Sequence, residues 1–337
     1  VDLKNRGARK LILDLRGNGG GSLAEAVDIV GLFVPKGTQV VSTRGKLSQA
    51  SQTFKTQREP LDLTIPLVVL VDGQSASASE IVAGAIQDLD RGVVMGWRTF
   101  GKGLVQSVRE LPYNSSLKIT TSKYYTPSGR CVQKIDYSKA VRSKGEEDKT
   151  ESAPGEFYTL SGRPVKAAGG ITPDVVLKEL AVPNLLFYLA NSDILFDFAT
   201  DYAHSHPTIA PVDDFVVNDS LYAAFKEAVK ASDFKYDRQS EKALAALKEV
   251  AAFEGYLDEA SETFALLEKQ LSHDIDRDFE YFDQRIRELL ADELVSRYYY
   301  QRGAIIQAIK SDSTVFRARD LLADSVAYRA MLVPAAK

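Results

Sequence analysis

Across the first 125 residues, short apolar runs rich in Val, Ile and Leu alternate with stretches whose apolar residues recur every three or four positions. Lys10-Leu11-Ile12-Leu13-Asp14-Leu15-Arg16 predicts a strand ending in a glycine cluster, and residues 23–33 predict a helix. Strands are predicted at 39–42 and, behind Pro66, at 67–71. A helix over 78–89, a strand at 92–96 and a longer alternating strand over 117–125 follow. Strand and helix in alternation predict an α/β core of mixed, largely parallel strands.

From residue 127 to 173 the pattern is irregular and polar, and its charged run at 144–149 predicts a solvated excursion. The chain returns at Gly169-Gly170-Ile171-Thr172-Pro173-Asp174 and closes on the apolar Val175-Val176-Leu177. Beyond residue 180 the apolar spacing is helical, most clearly over 221–229, 240–252, 254–272 and 277–300. Two domains are predicted: an α/β core over 1–180 and an α-helical C-terminal domain over 181–337.

Composition narrows the class. Of 337 residues, 45% are hydrophobic and 26% charged, and no stretch approaches the roughly 20 consecutive apolar residues of a membrane helix. A single thiol, Cys131, excludes an internal disulfide. Residues 1–180 hold 25 Lys+Arg against 19 Asp+Glu, and residues 181–337 hold 17 against 27. Neither half carries the concentrated basic face that nucleic acid would need. The chain begins at Val1 and enters an apolar strand within about ten residues, which predicts a fragment or a processed chain.

Three segments could carry chemistry. The cluster Arg16-Gly17-Asn18-Gly19-Gly20-Gly21-Ser22 stands between a strand and a helix, where backbone N–H groups hold anions. Gly19-x-Gly21-x-x-Ala24 fits a loose dinucleotide fingerprint, but the next strand ends at Ser42-Thr43-Arg44-Gly45 without an acidic residue for a ribose. No Gly-Lys-Ser/Thr triplet follows, so a phosphate loop is excluded as well. What survives is a set of N–H donors suited to a developing oxyanion.

The second segment, Asp72-Gly73-Gln74-Ser75-Ala76-Ser77-Ala78-Ser79-Glu80-Ile81, spans a strand-to-helix junction. Helix capping by one serine and a serine nucleophile beside the helix N-terminus are both readings of it. The histidines His204, His206 and His273 lie in the helical half, and no Cys/His spacing suits a metal. The base candidate is therefore Lys102, in Thr99-Phe100-Gly101-Lys102-Gly103-Leu104-Val105-Gln106, where desolvation beside Phe100 would favour the neutral amine. Gln106 could orient it. Ser115-Ser116-Leu117-Lys118 matches a Ser-x-x-Lys pair by letters, but the surrounding pattern places it on a turn and a strand.

Together with Leu13-Asp14-Leu15-Arg16, Ala83-Gly84-Ala85-Ile86-Gln87-Asp88, Tyr124-Tyr125-Thr126-Pro127-Ser128-Gly129-Arg130 and Gly170-Ile171-x-Pro173-Asp174, these segments resemble the carboxyl-terminal processing (tail-specific) serine peptidases. The likeness spans roughly residues 8–178. It implies Ser77 as nucleophile, Lys102 as general base and Gln106 as the residue that orients it. The implied oxyanion hole uses the backbone N–H of Ala78 and of a loop glycine, Gly20 ahead of Gly21. Ser75 and Ser79 then shape the turn and cap the helix.

The resemblance further implies a crotonase/Clp-protease-like core whose strands accept a substrate's extended C-terminal segment. It implies protein substrates, no nucleic acid, no cofactor, no metal, and a bacterial periplasmic or other extracytoplasmic site, with membrane association through a segment outside this chain. Family members carry a PDZ domain and a further strand and helix ahead of Leu-Asp-Leu-Arg, so the late start predicts that these are absent here. The acidic helical half matches no motif of the family and by analogy serves homo-oligomerisation or regulation. Two competitors stand beside this reading: an inactive relative that holds peptide tails, and an acyl-CoA enzyme of crotonase fold, which predicts no Ser-Lys-Gln set.

Overall fold

The computed structural model describes residues 1–135, 156–167, 169–178, 182–272 and 274–334; the charged run at 144–149 and His273 lie outside them. The chain forms two compact units, Val1–Glu179 together with Ser313–Lys337, and Leu180–Asp312.

The first unit begins with α1 (Asp2–Asn5), β1 (Leu11–Asp14), α2 (Leu23–Gly31), β2 (Gln39–Gly45), β3 (Gln52–Lys55), β4 (Leu67–Val71), α3 (Ala78–Asp88) and β5 (Val93–Gly96). A hairpin of β6 (Leu104–Leu111) and β7 (Ser115–Tyr125) comes next, then the short β8 (Phe157–Tyr158), β9 (Pro164–Val165) and β10 (Val175–Val176). One sheet is parallel, in the order β1-β4-β5-β10, and a second is antiparallel, in the order β3-β2-β7-β6. Ser115 and Lys118 both lie on β7, where alternation turns neighbours to opposite faces.

Every residue of β4 is buried because both faces of the parallel sheet are covered. Leu67, Val69 and Val71 pack with Val30, Val82 and Ile86 of α2 and α3. Val68 and Leu70, on the other face, pack with Val93, Met95, Ala318, Leu322 and Tyr328. The last three come from the helices Ser313–Ala323 and Ser325–Ala330. The sequence reading kept 181–337 together as one helical domain; the structure returns 313–334 to the α/β core instead. Its physical reason is the second apolar face of the sheet, which needs a cover. The Tyr328 hydroxyl accepts from the Leu67 N–H at 2.9 Å and donates to the Leu67 carbonyl at 3.0 Å, fixing this cover to the start of β4.

One buried and two partly buried ion pairs tie three of the sequence motifs together. Arg130 is 1% exposed and donates to Asp88 and to the Gln87 amide oxygen, both at 2.7 Å. Arg163 bridges Asp90 at 2.7 Å and Asp174 at 2.6 Å, and Asp174 also accepts from the Gln87 side chain at 2.9 Å. The end of α3 is thereby locked to the segments around Gly129-Arg130 and Pro173-Asp174. Removing one partner of the fully buried Arg130–Asp88 pair would leave a buried charge unanswered, at a cost of about 3–5 kcal/mol.

The second unit is helical: α4 (Asn184–Ala190), α5 (Asp193–Ser205), α6 (Asp219–Ala231), α7 (Gln239–Glu254), α8 (Ser261–Gln270), α9 (Ile275–Tyr281) and α10 (Asp283–Ile309). Leu185, Leu189, Phe225, Phe279, Leu290 and Leu294 lie in its core. The helix predicted over 277–300 is two helices, and α10 breaks at Tyr300, whose φ of 54° is non-helical. No helix of the described residues is long and apolar enough to cross a membrane.

Half-buried on α10, Asp292 has its carboxyl pushed up to about 6 by burial and by the neighbouring Glu288 and Glu293. A raised carboxyl favours the folded chain while protonated, so its contribution is full below the ordinary value of 3.8 and is lost as pH rises through about 6. Asp292→Asn should therefore stabilise the unit at pH 7.5 by about 1–2 kcal/mol after allowance for partial exposure, and much less at pH 4.5. Thermal unfolding at the two pH values checks this; equal gains at both would refute the linkage.

Candidate active site

Strands β1 and β4 are parallel neighbours, so the loops leaving their C-terminal ends meet. The Ser75 hydroxyl donates to the Leu15 carbonyl at 2.7 Å, while the Ala76 N–H and the Ser79 hydroxyl both donate to the Asn18 carbonyl at 3.0 Å. The Asp72 carboxylate accepts from the N–H of Gly17 at 3.0 Å and of Ser75 at 2.9 Å. Ser75 and Ser79 thus fasten the glycine loop to the serine turn.

Gly20 lies directly against that turn with φ of +94°. A Cβ there would stand 2.5 Å from the Ala76 carbonyl oxygen and 2.7 Å from the Ala78 nitrogen, so only glycine permits the approach. The Gly20 N–H is donated to Asn18 Oδ1 at 2.9 Å, within its own loop.

Ser77 precedes α3 with φ of 58°, a conformation that L-residues adopt only under constraint. Two buried side chains supply the constraint. Tyr124 donates its hydroxyl to the Ser77 carbonyl at 3.1 Å, and Glu80 accepts the Ser77 N–H at 2.9 Å. Ala78, next in the chain, is the first residue of α3, where backbone N–H groups have no partner within the helix.

Lys102 sits in the loop between β5 and β6. The Glu80 carboxylate accepts from the Thr99 hydroxyl at 2.6 Å and from the N–H of Gly101 and of Lys102, both at 2.8 Å. Burial pushes the Glu80 carboxyl up from its ordinary value, and its hydrogen bonds act in the opposite direction. A register shift between Val105 and Gln106 interrupts the β6–β7 pairing, and both residues face the same cavity.

That cavity, about 260 Å³, is lined by Ser77, Ala78, Lys102, Gln106 and Gly21, with Tyr124 at its wall. Five of the six residues expected from the sequence therefore share one space; Gly20 lies behind it, against the turn. A wider cleft of about 1140 Å³ opens beside it, sharing Lys102, Leu104 and Gln106 and lined also by Phe100, Lys123 and Lys134. Lys102 and Gln106 are exposed, as is Phe100. The desolvation expected for Lys102 is thus missing here, because the Gly101-Lys102-Gly103 loop forms the rim between two open cavities.

Residues 1–141 match the model of peptidase family S41. This part of the chain is similar to that family. Residues 185–322 match the probable PDZ-protease C-terminal helical domain. A carboxy-terminal-processing protease of Bartonella bacilliformis is 46% identical over 37% of this chain and 28% of its own length. Carboxyl-terminal-processing peptidase 1 of Arabidopsis thaliana is 42% identical over 37% of this chain and 26% of its own. The matches thus span under a third of these relatives. A solved photosystem II D1 C-terminal processing protease aligns at 32% identity and a TM-score of 0.39, covering 52% of this chain and 36% of that one.

Within this matched part of the chain, the residue reading missed the contacts made by Glu80 and Tyr124. Glu80 stands three residues after a serine at a helix start, the pattern of an ordinary capping box, and nothing in the spacing reveals its bonds to the Lys102 loop. The signal for Tyr124 lay in the Tyr124-Tyr125-Thr126-Pro127 motif, which carried no role.

Proposed function

We propose that this S41-like core is a serine endopeptidase that cleaves protein substrates near their C-termini through an acyl-enzyme on Ser77. The observation that carries the reading is the shared cavity of Ser77, Ala78, Lys102, Gln106 and Gly21. Ser77 Oγ attacks the scissile carbonyl carbon, and its proton passes to Lys102 Nζ and then to the departing amine. Water next attacks the ester; Lys102 takes its proton and returns it to Ser77 Oγ as the acyl carbon–Oγ bond breaks, which releases the acid and restores the serine. Gln106 orients the lysine. The N–H groups of Ala78 and Gly21 hold the oxyanion, since that of Gly20 is given to Asn18.

Bound substrate would supply the desolvation: its chain covers the exposed Lys102, removes water from the amine and so favours the neutral base. The tail adds as a strand along β6, which stands at the edge of its sheet and lines both cavities. The compartment is bacterial and extracytoplasmic, in keeping with the processing proteases the chain resembles, and the helical unit joins copies of the chain.

The test is incubation with casein and, separately, with a fluorophosphonate probe, both read by mass spectrometry. The proposal expects defined casein fragments and a single adduct on Ser77. Cleavage without an adduct there would move the nucleophile elsewhere; an intact casein and an unlabelled Ser77 would favour a tail-binding relative without activity.

A further inference from the structure

Glu80 is completely buried, and among the described residues no cation pairs with it. Four donors surround it instead. Oε1 accepts from the Thr99 hydroxyl at 2.6 Å and the Gly101 N–H at 2.8 Å. Oε2 accepts from the Ser77 N–H at 2.9 Å and the Lys102 N–H at 2.8 Å. A single oxygen atom thus holds the backbone amides of the two residues whose side chains must exchange a proton.

We propose that Glu80 is a positioning residue, which sets the spacing of Ser77 and Lys102 by holding both amides on one carboxylate oxygen. The inference rests on the Ser77–Lys102 reading of the site. Helix capping alone accounts for one of the four bonds, that to Ser77; the other three reach the Thr99–Lys102 loop, 19 to 22 residues further along the chain. Four donors match the lone-pair capacity of an ionised carboxylate, and neutral amides and a hydroxyl bind it without neutralising it. A cation here would compete for the same oxygens and loosen the tie.

The support extends one step outward. The Thr99 hydroxyl that donates to Glu80 accepts the Ile171 N–H at 2.6 Å, and the Thr99 N–H donates to the Ile171 carbonyl at 3.1 Å. Gly170-Ile171, a motif far from the cavity in sequence, is in this way a prop for the carboxylate that joins nucleophile and base.

Glu80→Gln presents one oxygen and an NH2 group where four donors converge, so it forfeits at least part of the tie. The variant should lose about 100-fold in kcat on a casein-derived peptide with KM within about twofold, the signature of misplaced reacting groups. Hydrogen exchange read by mass spectrometry should accelerate together in the peptides that hold Ser77 and Lys102. Arg130→Lys serves as the stability control: it should lower the melting temperature at least as much yet keep kcat within about threefold.

Parent-like kcat in Glu80→Gln, exchange that quickens on one side only, or an equal kcat loss in Arg130→Lys would each overturn the inference. If Glu80→Gln shows no cooperative unfolding transition, Glu80→Asp, which retains the charge but draws it back, takes its place with the same outcomes. Exchange needs no turnover, so a parent chain without peptidase activity would sink the proposed function while exchange still decided whether Glu80 couples the two segments.

Discussion

Ser77→Ala and Lys102→Ala should each lower casein cleavage by on the order of 10³-fold or more, and the double variant should lose scarcely more than either single one. The shared cavity explains the non-additivity: an oxygen without a base to take its proton and a base without an oxygen to serve are equally idle. Residual turnover should come from the N–H donors of Ala78 and the glycine loop, which survive both substitutions. Neither change should disturb the fold, because Lys102 is exposed and forms no ion pair among the described residues, and Ser77 is held through its backbone. Initial rates on casein, with melting temperatures alongside, check the prediction; a Lys102→Ala variant with half the parent rate would remove the lysine from the chemistry.

Gly20→Ala is the second large effect, and it needs no change of functional group. The added carbon meets backbone atoms of residues 76 and 78 at 2.5 and 2.7 Å and the Ser77 Cβ at 2.9 Å, at a φ of +94°. Backbone cannot yield as a flexible side chain would, so either the glycine loop lifts or the serine turn is pushed aside. A displacement near 1 Å at reacting atoms costs about 100-fold in rate, and the strained backbone should add about 1–2 kcal/mol of instability. Gly21→Ala is the informative companion, since a Cβ at Gly21 meets nothing within 4 Å and its N–H is retained. It should keep activity within about threefold, and a reversed order of the two variants would show that the loop does not rest on the turn as described.

Legibility in the sequence followed burial. β4 could be read because all five residues are apolar and covered on both faces; Lys102 and Gln106 were candidates from their glycine-flanked segment, whereas only the family resemblance singled out Ser77 from Ser75 and Ser79. β6 escaped notice because Leu104–Leu111 is mostly exposed and mixes Gln, Ser, Arg and Glu into its alternation, which erases the period that a half-buried strand would show. The helix pair of 313–330 was assigned to the wrong neighbours for a related reason: its apolar positions state that a face must be buried, and say nothing about which one. Glu80 was quoted within the serine motif but carried no role, since a glutamate shortly after a serine usually marks only a helix start. Tertiary partners, here a loop 21 residues away, leave no trace in local spacing.

The return of residues 313–330 to the parallel sheet also bears on synthesis. Val68, Leu70, Val93 and Met95 leave the ribosome well before the helices that shield them, which are made only after the whole helical unit between has been translated. At about 5–20 residues per second, that sheet face stays uncovered for on the order of ten seconds or more. During that interval the nascent chain carries an adhesive apolar surface. A core with that order of assembly completes the packing of this sheet face only once residues 313–330 have emerged, and those helices set the moment at which the sheet becomes rigid.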